Sequence, residues 1–145
     1  MTIKAKVIDL IQAVPCLDAL LAARLTMDLH SKLIKRKKVI VKELEIIQES
    51  RVKLLEDLSG GKKITENGQE RYELGDNANE FSKQYVDMLK SDIELDLLPL
   101  NAEPFKNITI DQVEIIQPFQ NKTEKINPWE ALAFLFDNSF LEENV

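Results

Sequence analysis

The sequence predicts an α+β fold, predominantly helical, in which a long helical hairpin carries a small antiparallel β element and a C-terminal helix. Residues 27–58 contain no Gly or Pro and repeat apolar residues at gaps near three and four, the period of one helix face. Asn67-Gly68 lies between short polar runs and accepts the positive φ angles of a tight hairpin turn. Asp92 to Leu97 alternates acidic and apolar residues, the pattern of a strand buried on one face.

Taken in order, Ile3, Ala5 and Val7 alternate with Lys4 and Lys6 and predict a short edge strand before Asp9. Leu10, Ile11, Val14, Leu17, Leu20 and Leu21 then recur at helical spacing. Pro15 lacks a backbone donor and disfavours helix at Val14, so two short helical segments with a bend between them are expected. Thr26 as N-cap and Asp28 in the first turn start the long helix, and Ser59-Gly60-Gly61 stops it.

The apolar stripe of that helix, Leu33, Ile40, Leu44, Ile47, Leu54 and Leu58, is widened by Val39 and Ile46 on one side and by Ile34, Val41 and Leu55 on the other. It exceeds what a two-stranded seam requires, so contacts on two sides are expected. At ~1.5 Å per residue the helix is roughly 48 Å long. A compact chain of this size is roughly 38 Å across. The helix therefore kinks or buries its overhang against a second copy, and the wide stripe favours the second outcome, a homo-oligomer.

Asn77 and Glu80 form a capping-box pair ahead of Phe81, Tyr85, Met88 and Leu89, predicting a helix to about Ser91. The strand over 92–97 ends at Leu98-Pro99, and a loop follows to Asn107. Thr109 and Gln112 make a second capping-box pair and predict a short helix through Val113, Ile115 and Ile116, stopped by Pro118; a strand over Ile108 to Ile110 is the alternative. Residues 120–127 are polar and read as a linker. Asn127-Pro128-Trp129-Glu130 supplies an N-cap, Pro at the first helical position and a reciprocal Glu, so a terminal helix to about Asp137 is expected. The expected organisation is one domain over 1–119, the linker, and an aromatic helix with an acidic tail over 128–145.

The single cysteine cannot form an internal disulfide, and no apolar run approaches the ~20 residues of a membrane span. A cytoplasmic protein, or one carried in a virion, is expected. The net charge of −6 divides unevenly. Residues 1–60 hold eleven Lys/Arg and eight Asp/Glu, net +3, and residues 61–145 hold eight and seventeen, net −9. The positive charge gathers at Lys32 to Lys42, so Lys35, Arg36, Lys38 and Lys42 are the candidate nucleic-acid-binding residues. Against that role stand one Arg, no aromatic side chain among the lysines, and an acidic total. The acidic half suggests a further alternative, an inhibitor that mimics nucleic acid toward a basic host defence nuclease.

Catalytic chemistry finds little support. His30 and Cys16 are each alone of their kind, which denies a zinc cluster, and Cys16 follows a proline among apolar residues, a poor setting for a nucleophile. No glycine pattern cradles a phosphate or dinucleotide. Asp92, Glu94 and Asp96 share a strand face that could hold a divalent cation weakly, although such rows are ordinarily the solvated side of an edge strand. No catalytic, metal or cofactor site is expected, and the chain reads as a non-enzymatic interaction protein. Its partner-binding candidates are Trp129, Leu132 and Phe136, with Ala133 on one helical face and Phe140 beyond, the arrangement of a groove-docking helix.

Several stretches in order carry a resemblance. Lys4-Ala5-Lys6-Val7-Ile8, Leu17-Asp18-Ala19-Leu20, Glu49 to Glu56, Glu66-Asn67-Gly68, Glu80-Phe81 to Met88-Leu89, Ile93 to Leu100 and Val113 to Phe119 together resemble small uncharacterised proteins of tailed bacteriophages and their prophages. The likeness spans roughly residues 3 to 119. It implies a viral or prophage origin. Together with the wide stripe of the long helix, the expected role is an interaction protein acting in virion assembly or on a host factor, with self, a phage structural protein or a host protein as partner. The resemblance transfers no active-site residue, and the stretch after Asn121 looks like an addition.

Overall fold

A computed structural model describes residues 2–116 and 122–137. Strand β1 (Ile3–Lys6) leads directly into helix α1 (Val7–Leu21), and a short turn returns the chain along α2 (Met27–Ser59). Strands β2 (Lys63–Glu66) and β3 (Gln69–Tyr72) follow, then a single 3-10 turn over Gly75–Asn77 and helix α3 (Ala78–Leu89). Strand β4 (Asp92–Leu95), a 3-10 turn at Glu103–Phe105, strands β5 (Val113–Ile116) and β6 (Thr123–Ile126), and helix α4 (Pro128–Leu132) with a further 3-10 turn at Ala133–Leu135 complete the described chain. The fold is α+β and mostly helical, with a long helix and three small antiparallel ribbons.

The long helix starts and stops as its sequence dictates. The Thr26 side chain accepts a hydrogen bond from the Leu29 N–H at 3.3 Å, filling one orphan donor of the first turn. Gly60 closes the helix in the left-handed conformation at φ 65°, and its N–H bonds the Glu56 carbonyl. Between these caps α2 is unbroken for 33 residues.

Helix α1 departs from expectation. It is one continuous helix through Pro15, without the division into two segments. Pro15 forfeits only its own bond to the Ile11 carbonyl. Leu10, Ala13, Cys16, Leu17 and Leu20, all fully buried around it, hold both halves to the same core and keep the helix unbroken. The Asp9 carboxylate accepts from the Lys6 N–H at 2.9 Å and closes the first turn.

Strand β4 pairs antiparallel with β1, setting Glu94 opposite Lys4 and Asp92 opposite Lys6. The acidic row therefore faces lysines on the exposed side of a two-stranded ribbon while Ile3, Ala5 and Leu95 point into the core. The β2–β3 hairpin turns at Asn67 (φ 53°) and Gly68 (φ 79°), both positive as a two-residue hairpin loop requires.

Other expectations are corrected. Asn77 does not cap α3 with its side chain; its amide donates to the Leu58 carbonyl at 2.7 Å and ties the start of α3 to the end of α2. Residues 113–116 form strand β5, not a helix, and β6 occupies much of the expected linker. The β-branched run Val113, Ile115, Ile116 finds a ladder partner in β6, with Val113 opposite Ile126 and Ile115 opposite Glu124, and that pairing outweighs a capping signal for a helix of little more than one turn. Residues 108–110 form no strand either, and Pro118 lies outside the described residues. The terminal helix is five residues long and does not reach Asp137. Leu135 and Asp137 exchange backbone bonds with Leu100, at 2.7 and 2.9 Å, which pulls Phe136 into extended conformation and ends the helical turn.

The core gathers around α1. Leu10, Ala13, Cys16, Leu17 and Leu20 meet Leu95, Leu100 and Phe105 from the middle of the chain, and Leu132, Leu135 and Phe136 from its end. From α2 only Leu33 and Ile40 are fully buried in this cluster.

Candidate functional site

The C-terminal helix packs on the core, with Phe136 inside it and Trp129 and Phe134 partly buried against it. Leu132 is fully buried, Phe136 is 5% exposed, and the Phe136 ring meets Phe105 edge-on at 5.2 Å and Trp129 at 6.0 Å. Asn127 and Pro128 do start the helix as expected, with the Asn127 side chain accepting from the Trp129 N–H at 3.0 Å. Leu132 and Phe136 are thus committed to their own chain, and Trp129 packs half-buried against them, which corrects the assignment of Trp129, Leu132 and Phe136 as a single partner-docking face. Phe140 lies outside the described residues. The periodicity is that of a docking helix and of a helix packed at home alike, so spacing alone could not separate the two.

The basic ridge divides. Lys35, Lys38 and Lys42 are exposed on one side of α2, spaced by three and four. Arg36 points elsewhere and is half-buried. Its guanidinium donates to the Leu98 carbonyl at 3.0 Å and to the Lys32 carbonyl at 3.1 Å, and burial pulls its pKa below the usual arginine value. The planar, multi-donor cation best suited to phosphate is therefore spent inside the fold. Lys32 pairs with Asp28, and Lys37 with Asp18 of α1.

Cys16 is fully buried, and burial pushes its thiol from 9.0 up to about 11, so it stays protonated near neutral pH. His30 is exposed at the start of α2. Among the described residues no group of three His, Cys, Asp or Glu side chains is placed to hold a metal ion, and no helix is long and apolar enough to cross a membrane.

What the structure does assemble is an open apolar cleft. Ile11, Val14 and Pro15 on the outer side of α1 form one wall, Val41, Leu44 and Ile47 of α2 the floor, and Tyr85 of α3 the far end, around a volume of roughly 510 Å³. Pro15 contributes to this wall, where its ring supplies a flat apolar surface. Arg51 closes one corner, its guanidinium lying 5.9 Å and 5.7 Å from the ring centres of Phe81 and Tyr85. A second, shallow trough along α2, lined by Ile34, Lys37, Lys38, Val41, Lys42 and Glu45, shares Val41 and Glu45 with the cleft. On the other side of the cleft a smaller hollow shares Ile11 and Pro15 and reaches Ile115 and Ile116 of β5, the latter 72% exposed.

The width of the α2 stripe marks the floor of this cleft in the sequence, whereas Ile11, Val14 and Tyr85 carry only the signal of an ordinary helix face and become walls through the way the three helices pack. No protein-family model matches the chain, and neither a curated protein nor a solved structure matches it.

Proposed function

We propose that this chain is a non-enzymatic protein-interaction module of the kind carried by tailed phages and prophages, acting in virion assembly or on a host factor through the surface of its long helix. The observation that carries this reading is the open cleft between α1, α2 and α3, lined mainly by Ile11, Val14, Pro15, Val41, Leu44, Ile47 and Tyr85, with Glu45 and Arg51 as its charged residues. Such a cleft suits an amphipathic helix or a short apolar segment of another protein, which would bury its anchors against Val14, Val41 and Leu44 and set its polar flank against those charges. Among the described residues no group of three His, Cys, Asp or Glu side chains is placed to hold a metal ion there.

The reading as a nucleic-acid-binding accessory protein keeps three exposed lysines, Lys35, Lys38 and Lys42, after Arg36 is turned inward. Three lysines on an acidic protein supply little of the counterion release that drives such binding.

Photocrosslinking from position 47, with a benzophenone side chain in place of Ile47, tests the proposal in the cells that make the protein. Discrete protein adducts that vanish when Val14→Asp is added are the expected outcome. Adducts only to nucleic acid, or protein adducts indifferent to Val14→Asp, would contradict it.

A further inference from the structure

Alongside its core-facing stripe, α2 presents a second apolar seam. Met27, Ile34 and Val41 recur every seven residues, Gln48 and Leu55 continue the spacing, and Val52 lies beside it, so all share one side of the helix. Met27 is 86% exposed, and Ile34, Val41, Val52 and Leu55 are only partly covered. Ile46, 51% exposed, lies on the outer flank one turn from Lys42 and beside Glu49.

The free charges along this flank change sign at the middle of the helix. Lys35, Lys38 and Lys42 precede the change, and Glu45, Glu49 and Glu56 follow it, while Lys53 on the same flank is neutralised by its pair with Asp57. Lys38, Lys42, Glu45 and Glu49 form no ion pair among the described residues, in contrast to Lys32, Lys37 and Lys53 of the same helix. A strip that is basic in one half and acidic in the other is complementary to itself when reversed. Resting on the reading of α2 as the interaction surface, we infer that the partner for this seam is a second copy of the chain, docked antiparallel about a two-fold axis between Val41 and Glu45. In that arrangement Lys42 faces Glu45 and Lys38 faces Glu49 of the other copy, twice over, and Ile34 inserts beside Val52 and Leu55. A parallel pair would set lysine on lysine and glutamate on glutamate, so charge selects the orientation.

Light scattering and sedimentation equilibrium at tens of micromolar test this, with circular dichroism to verify folding of each variant. The wild-type chain is expected to dimerise, more tightly at low salt. Lys38→Glu with Lys42→Glu, and separately Glu45→Lys with Glu49→Lys, each place like charges across the seam and weaken association by roughly tenfold or more. Mixing the two variants restores a heterodimer, because every facing pair is again opposite in sign. Orientation is read by oxidative crosslinking: Lys38→Cys and Glu49→Cys link when mixed, whereas neither links to itself, and Cys16 stays buried. A wild-type monomer, failure of the mixed variants to pair, or self-crosslinking of Lys38→Cys would overturn the inference. A monomer that still gives the protein adducts from position 47 would leave the interaction-module proposal standing.

Discussion

Helix α1 buries six of its fifteen residues, from Val7 to Leu20, whereas α2 runs for thirty-three and buries only Leu33, Ile40 and Ser59. The short helix is the hub on which β1, β4, the Phe105 turn and the C-terminal residues converge, and the long one is laid across its side. Burial, not length, sets how much a helix contributes to the fold, since helices in proteins owe most of their stability to the apolar face they pack. A long helix with little buried surface is correspondingly free to serve another molecule. That difference between the two helices underlies the functional proposal, and it can be probed at several points.

The largest effect is expected at the C-terminal cluster that packs on the hub. Phe136→Ala removes a ring held between Phe105 and Trp129 and should cost about 3–5 kcal/mol in urea denaturation. A loss under about 1 kcal/mol would mean that Phe136 stands free for a partner. On the hub itself, Leu17→Ala should cost about 2–5 kcal/mol by the same measurement. Its counterpart on the exposed seam, Val41→Ala, should cost much less in the monomer, and equal losses would erase the contrast between the helices.

A smaller effect is expected at the helix start, where Thr26→Ala leaves the Leu29 N–H without its acceptor and should cost about 1 kcal/mol of thermal or chemical stability. The mildest concerns pH. Because burial raises the Cys16 thiol from 9.0 to about 11, the native chain keeps a proton that the unfolded chain releases, so this residue's contribution is fully present below pH 9.0 and is lost as pH rises toward about 11. Cys16→Ala should flatten that part of the stability profile; an identical slope in both proteins would show that the thiol does not couple to folding.

Much of the fold was legible in local signals. Thr26, Gly60 and Asn67-Gly68 act through their immediate neighbours, and each does what its residue type dictates. Elements decided by distant partners were not legible. Val113–Ile116 became a strand because β6 supplied a ladder, and Pro15 was absorbed because five buried neighbours kept α1 continuous. The amide of Asn77 was drawn to Leu58, a carbonyl far away in sequence. The candidate site shows the same division. The excess width of the α2 stripe was visible in its sequence. That α1 would leave Ile11, Val14 and Pro15 to wall a cleft depended on where three helices meet, and that Trp129, Leu132 and Phe136 would turn inward depended on Leu100 capturing the chain beside them.

Sedimentation equilibrium of wild type against Val41→Asp, at equal concentration and with folding verified for both, bears most directly on the idea that α2 keeps an apolar flank for a second copy of the chain. The expected result is a dimer for the wild type and a folded monomer for the variant, since a carboxylate would be forced into the seam only on association. Equal masses for the two proteins would contradict it, as would a variant that fails to fold, which would place Val41 in the chain's own core.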